Sequence, residues 1–272
     1  MSDFPVSLIQ MMLGFWRHRS LINASVKREV MSRYRGSFLG LLWSFLNPLF
    51  MLAVFTFFFS VIFQSRWGGG NGSRTEFALL LFAGLIHFNL FAECISRAPS
   101  LILSNTSYVK KVVFPLEILP FVSLLSALFH ALISFIVWLM AYALFYGVPH
   151  LTIIYLPLVL LPFCLFLMGL SWVLASFGVF LRDVSQFIGI LITAVMFLSP
   201  IFYPVSTFPE NYRYLLYLNP LTTVVEQARE VLFWGNQPDF SLLGTYYLAT
   251  MGIAWLGFAW FQKTRKGFAD VM

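Results

Sequence analysis

The sequence predicts an all-α integral membrane protein with six transmembrane helices, on three observations. Of 272 residues 60% are hydrophobic and only 10% charged, with a mean hydropathy of +0.83, far outside the range of soluble domains. Six apolar runs approach or exceed the roughly 17–25 helical residues that cross a hydrocarbon core. Thirteen of the 17 Lys and Arg residues fall at the chain ends and in alternate connections, as the positive-inside rule requires of a multi-pass chain with both termini in the cytoplasm. So few charges could not clothe a soluble core of this size. One membrane domain, 1–272, follows, with an interface region at 1–36, a six-helix part at 37–262 and a cytoplasmic tail at 263–272.

The elements are justified in chain order. No charged start, apolar stretch and small-residue cleavage site occur in sequence before residue 38, so no cleavable signal peptide is expected. Leu8, Met11, Met12 and Phe15 follow helical spacing beside Trp16, Arg17 and Arg19, which predicts an amphipathic helix in the membrane plane. Ile22, Val26, Val30 and Tyr34 then recur every four residues beside Lys27, Arg28, Arg33 and Arg35. Those cations read either as snorkelling anchors or, for Arg33 and Arg35 among them, as contacts to an anionic lipid-linked substrate.

The spans are expected at Leu39–Phe63, Phe77–Ile95, Phe114–Phe145, Ile153–Leu181, Phe187–Tyr203 and Leu242–Phe261. The third and fourth exceed one crossing and imply tilt or extension beyond the bilayer. Gly68–Gly70, followed by Asn71, Gly72 and Ser73, reads as a flexible outside turn. Between the fifth and sixth spans, Pro204–Ser241 is too aromatic for a solvated loop. Asn219 is a good N-cap, Pro220 suits the first helical position and Gly235 ends the segment. Leu221, Val224, Val225, Ala228, Val231 and Leu232 form one apolar face, with Glu226, Gln227, Arg229 and Glu230 mostly elsewhere. A short amphipathic helix at the outer surface is expected, preceded by an aromatic segment at Tyr212–Leu218.

The chemistry is sparse. No phosphate-binding loop of the G-x-x-x-x-G-K-[ST] type occurs, so the chain is not expected to be its own ATPase. His18, His87, His130 and His150 are scattered without metal-ligand spacing, and Cys94 and Cys164 read as packing residues. Glu93 with Arg97, Glu117 after Lys110 and Lys111, and Asp183 beside Arg182 read as interfacial ion pairs. No cofactor or metal is expected on the chain, and nothing points to nucleic acid.

Particular strings carry a family resemblance. Arg33-Tyr34-Arg35-Gly36-Ser37-Phe38-Leu39-Gly40-Leu41-Leu42-Trp43-Ser44-Phe45-Leu46-Asn47-Pro48-Leu49 resembles the start of the first span of type-2 ABC exporter permeases. The stretch from Asn105 to Pro120, with Arg182-Asp183-Val184, Ser199-Pro200-Ile201-Phe202-Tyr203-Pro204 and Asn219-Pro220-Leu221, continues the likeness in order. Within the family the chain is most similar to polysaccharide exporters of bacterial envelopes, of the O-antigen, capsule and teichoic acid type, and Phe268-Ala269-Asp270-Val271 resembles their tail. The resemblance implies a transmembrane permease domain, no enzyme in itself, in the bacterial inner membrane. It implies a homodimer, two copies of a nucleotide-binding subunit that carries ATP and Mg, and a lipid-diphosphate-linked glycan as substrate.

It further implies a coupling helix within Pro99–Val113, with Asn105, Ser107, Tyr108, Val109 and Lys110 toward the ATPase. Re-entrant outer gate helices are implied within Val205–Gly235, with Tyr212, Tyr217, Asn219, Pro220, Leu221, Val224 and Val225 as gate residues. With 32 Phe, 11 Tyr and 8 Trp, flat faces for sliding sugars are available, although aromatics also fill lipid-facing surface. Phe45, Phe55, Phe58, Phe59, Phe197 and Tyr203 are the lining candidates. The alternatives are an exporter of a smaller amphipathic compound or drug, and a membrane-embedded glycosyl- or acyltransferase, which would need paired acids or a His-centred site.

Overall fold

The computed structural model of the chain describes residues 7–59, 67, 74–110, 114–181 and 183–271. Every regular element among the described residues is helical. Two helices precede the bundle, α1 (Leu8–Arg17) and α2 (Arg19–Tyr34). On α1, Met11 is buried and Phe15 stacks on Phe121 with ring centroids 4.3 Å apart, while Ile9, Leu13 and Trp16 remain exposed. An outward apolar face on a helix that ends in Arg17 suits the plane of a membrane surface. On α2 the four-residue spacing becomes the packed stripe. Ile22 and Val30 are buried, and Ile22 seats against Ile118 and Val122.

Four helices are long and apolar enough to cross a membrane. They are built on α4 (Arg74–Arg97), α6 (Leu119–Tyr146), α7 (Leu156–Phe180) and α11 (Phe240–Thr264). Prolines set the first turns of α6 and α7, where a missing N–H costs nothing. Gly147 ends α6 at φ 85°, a conformation that favours glycine. Asp239 caps α11 by accepting from Ser241 N and Leu242 N at 2.9 and 3.0 Å.

Of the expected spans, one is described only in part and another is shorter than anticipated. The first is helical over α3 (Leu42–Phe57), and its expected residues 60–63 lie outside the described residues, as do Gly68–Gly70. The fifth, α8 (Val184–Leu198), stops before Tyr203. Pro200 disfavours helical backbone in the residue before it, and Ser199 is extended at φ −96°, ψ 147°. With 15 residues α8 rises only about 22 Å, less than the roughly 30 Å core. The remaining short helices are α5 (Thr106–Lys110), α9 (Arg213–Tyr217), α10 (Pro220–Arg229) and α12 (Phe268–Val271).

The helix α4 is the centre of the bundle, with 83% of its apolar stretch buried against α3, α6, α7, α8 and α10. The tightest pair is α7 with α11. A Cβ on Gly169 would lie 2.6 Å from the Ile253 carbonyl oxygen, and one on Gly257 would fall on the backbone of Gly169. In lipid, helix pairing relies on such close backbone approach. Gly178 is pressed in the same way against the Pro99 carbonyl, in the 3-10 turn that follows α4.

Two glycines on α11 therefore respond oppositely to one methyl group. Gly257→Ala should lose about 1–3 kcal/mol by overpacking and lower the thermal midpoint of the purified chain in detergent. Gly252→Ala meets nothing within 4 Å, and should gain up to about 1 kcal/mol of helix propensity. Equal midpoints for the two variants would contradict this packing.

Candidate functional site

A polar cavity of about 510 Å³ opens between α2, α3, α4 and α6. Its acid is Glu93, which takes Arg33 at 2.6 Å, His130 Nδ1 at 3.2 Å and Arg97 at 3.5 Å. Arg97 also pairs with Glu29, so two charged ties fasten the surface helix α2 to α4. The i, i+4 pair of Glu93 and Arg97 was legible in the sequence. The partnership with His130 was not, because it joins α4 to α6 across 37 positions. Asn47, Asn89, Ser44 and Ser134 line the same space, with Trp43 and Tyr34 beside them. Amides inside apolar helices are costly in lipid, and Asn47 and Asn89 are both exposed. Uncharged hydrogen-bonding groups edged by aromatic faces suit hydroxyl-rich ligands.

Arg33 and Arg35 do not share a surface. Arg33 faces Glu93, whereas Arg35 lines a separate cavity of about 500 Å³ with Arg28, Gly40 and Leu41. Among the described residues Arg35 makes no ion pair.

The aromatic lining candidates divide. Phe45 lies away from the others, in an apolar groove of about 650 Å³ between α3 and α6. Phe55, Phe58 and Phe59 gather near the end of α3, with centroid separations of 6.3 Å from Phe55 to Phe59 and 5.5 Å from Phe58 to Phe59. Phe202 joins them to Phe197, at 6.3 Å from Phe59 and 6.2 Å from Phe197. The Tyr203 hydroxyl donates to the Phe197 carbonyl at 3.3 Å. Phe202, the residue that closes this cluster, was not singled out in the sequence.

The segment after α8 is built around α10. Asn219 caps it by accepting from Leu221 N at 3.0 Å and donates to Ser199 Oγ at 2.8 Å. Pro220 opens the helix, whose last turn passes into a π turn, Glu230–Trp234, ended by Gly235 at φ 71°. The expected amphipathy needs correction. Leu221, Val224 and Val225 are wholly buried inside the subunit, against α4 and α7. Arg229, assigned to the polar face, is buried as well, at 2% exposure. It donates to the carbonyls of Leu80, Pro200 and Ile201 at 3.1, 2.6 and 2.9 Å, pairs with Glu226 at 2.8 Å, and lies 4.4 Å from the Trp67 ring centroid. Tyr212 and Tyr217 are exposed instead, with Tyr214 and Leu218.

On the basic end, α5 lies in the expected coupling stretch, whose residues 111–113 lie outside the described residues. Asn105 donates to the Leu101 carbonyl at 2.9 Å, and Ser107 is exposed. Tyr108 is stacked on Phe114 at 4.1 Å, with Arg28 over its ring, so it packs within the subunit rather than standing free. The side chains of Val109 and Lys110 lie outside the described residues. Glu117 pairs with Arg265 of the tail at 2.5 Å, while Lys111 and the side chain of Lys110 lie outside the described residues. Asp183 is exposed, and Arg182 lies outside the described residues. No group of three or more possible metal-ligating side chains occurs among the described residues.

Comparison with known proteins gives two findings. A family model described as ABC-2 type transporter matches residues 20–233. The chain is similar to two proteins of Klebsiella pneumoniae called O-antigen export system permease protein RfbA, 24% identical over 93% of this chain and 95% of each relative. It is also 32% identical to the protein of that name from Myxococcus xanthus, over 42% of this chain and 41% of that one.

Arg229 is the group whose loss should be felt most. Arg229→Ala removes its hydrogen bonds and leaves Glu226 unpaired, a loss on the order of 3–5 kcal/mol, seen as a large fall in thermal midpoint or failure to fold. Tyr217→Ala, at an exposed position, should stay within about 0.5 kcal/mol of the native chain. Near-equal midpoints would show that Arg229 is no anchor.

Proposed function

The chain belongs to the ABC-2 type transporter family, and on that premise we propose that it is the membrane subunit of an ATP-driven exporter of a lipid-diphosphate-linked polysaccharide of the O-antigen kind. The carrying observation is the near-full-length likeness to the two Klebsiella export permeases. The polar cavity between α2, α3, α4 and α6 supports it, since Asn47, Asn89, Trp43 and Tyr34 suit sugar hydroxyls and ring faces. The apolar groove at Phe45 suits the hydrocarbon part of such a substrate. The transferase alternative would have to use His130 and Glu93, but Arg33 and Arg97 already engage that carboxylate.

In this reading the protein is multi-pass in the bacterial inner membrane, with six crossings and both termini cytoplasmic. Two copies pair, and two copies of a separate ATPase subunit bind ATP and Mg below them. The α5 region meets that ATPase through Ser107 and its neighbours, while Tyr108 holds the docking segment to Phe114. Arg35, which makes no ion pair among the described residues, meets the diphosphate. Sugars then pass the amides and reach the aromatic cluster of Phe55, Phe58, Phe59, Phe197 and Tyr203. The exposed tyrosines Tyr212 and Tyr217 close the outer exit. Leu221, Val224 and Val225 hold the gate segment in place from inside the subunit.

Replacing both cavity amides tests this reading. The double variant Asn47→Leu with Asn89→Leu alters exposed side chains and should stay folded. In cells that depend on this chain, surface glycan should fall on the order of tenfold, the scale of one or two lost hydrogen bonds, with lipid-linked glycan accumulating inside. Normal surface glycan from a folded, membrane-inserted double variant would remove the cavity from the path. Failure of a complete deletion to alter surface glycan would remove the proposed cargo.

A further inference from the structure

A second polar cavity, of about 250 Å³, lies between the surface helix α1, the Leu116–Ile118 turn and the far end of α11. Arg17 and His18 line it from one side, Glu117 and Gln262 from the other. Gln262 is 3% exposed, and its Oε1 has no hydrogen-bond partner. An unpartnered buried polar atom needs an explanation, and here the side chain that carries it lines a cavity shared with a carboxylate. Glu117 is held by Arg265 through Oε2. Gln262 and Glu117 together present acceptors that call for a cationic N–H donor, whereas Arg17 and His18 present donors that call for an anion.

Two opposite demands in one small cavity describe a zwitterion. Its level is set by α1, whose exposed Ile9, Leu13 and Trp16 place the helix at the membrane surface. Phospholipid headgroups occupy that level. A quaternary ammonium has no N–H to give Gln262, and a glycerol headgroup has no cation for Glu117. We propose that this cavity binds the phosphoethanolamine headgroup of a membrane phospholipid, with the ammonium at Gln262 and Glu117 and the phosphate at Arg17 and His18. The assignment is independent of the cargo, because the cavity shares no residue with the one that holds Asn89.

The full chain, purified in detergent and offered equal amounts of three lipids with identical tails, decides the matter by native mass spectrometry of the retained lipid. The three headgroups are phosphoethanolamine, its N-trimethyl form and phosphoglycerol. The first should be retained on the order of tenfold over the others, the scale of hydrogen bonds to a charged group. Gln262→Leu should erase that preference, and Gln262→Glu, which keeps the acceptor, should preserve it. Equal retention of the three lipids by the native chain would overturn the proposal, as would an undiminished preference in Gln262→Leu. Should the leucine variant not fold, the native comparison stands alone. Displacement of the lipid by soluble phosphoethanolamine at equal concentration would assign the cavity to a soluble ligand instead.

Discussion

In a buried interior there is no water to satisfy a backbone carbonyl freed by a broken helix, and this chain breaks one where α8 ends at the buried Ser199 and Pro200. Arg229 resolves that break. Its guanidinium, with donors in a fixed fork, spans the carbonyls of Leu80, Pro200 and Ile201, so that α4, the break and α10 are held at one point. Gly84 makes the room, since a Cβ there would lie 2.9 Å from the guanidinium. Glu226 supplies the counter-charge at 2.8 Å. From the other end of α10, Asn219 binds Ser199 and the Tyr246 hydroxyl donates to the Pro220 carbonyl at 2.9 Å. The α10 part of the segment between α8 and α11 is thereby a fixed part of the core, while Tyr212, Tyr214, Tyr217 and Leu218 before it stay outside.

The two ends of the bundle then carry different chemistry. At one end, charged side chains on α2 and α4, with His130 of α6, tie a surface helix to the spans and surround a polar cavity. At the other, α3 and α8 finish in a group of phenylalanines joined by Phe202. A polymer moving between them would leave groups that bind by hydrogen bonding for groups that bind by stacking.

Much of this was legible in the sequence because it is local. Asn219, Pro220 and Gly235 mark the bounds of α10 by rules that act within one helical turn, and the stripe of Ile22, Val26, Val30 and Tyr34 needs no knowledge of what covers it. What was missed depends on which helix lies beside which. His130 meets Glu93 only because α4 and α6 pack together, and Arg229 looked like a surface charge because its partners come from distant carbonyls. Hydrophobicity also fails to separate lipid-facing from packed positions in such a chain. Leu132 is 56% exposed and Phe163 fully buried, yet both read simply as apolar. Likewise Tyr108 looked available for docking until Phe114 was seen against it.

The contact between Gly178 and the Pro99 carbonyl bears on how movement passes through the molecule. Two backbones meet there with no side chain between them, so the joint has none of the give that rotamer changes provide elsewhere. A push on the Ala98–Ser100 turn, which leads directly toward α5, cannot be absorbed locally and must displace α7. Because α7 and α11 are themselves in backbone contact at Gly169 and Gly257, the displacement passes on to α11. The basic end of the chain is mechanically geared to half of its long helices through three hydrogen-sized side chains.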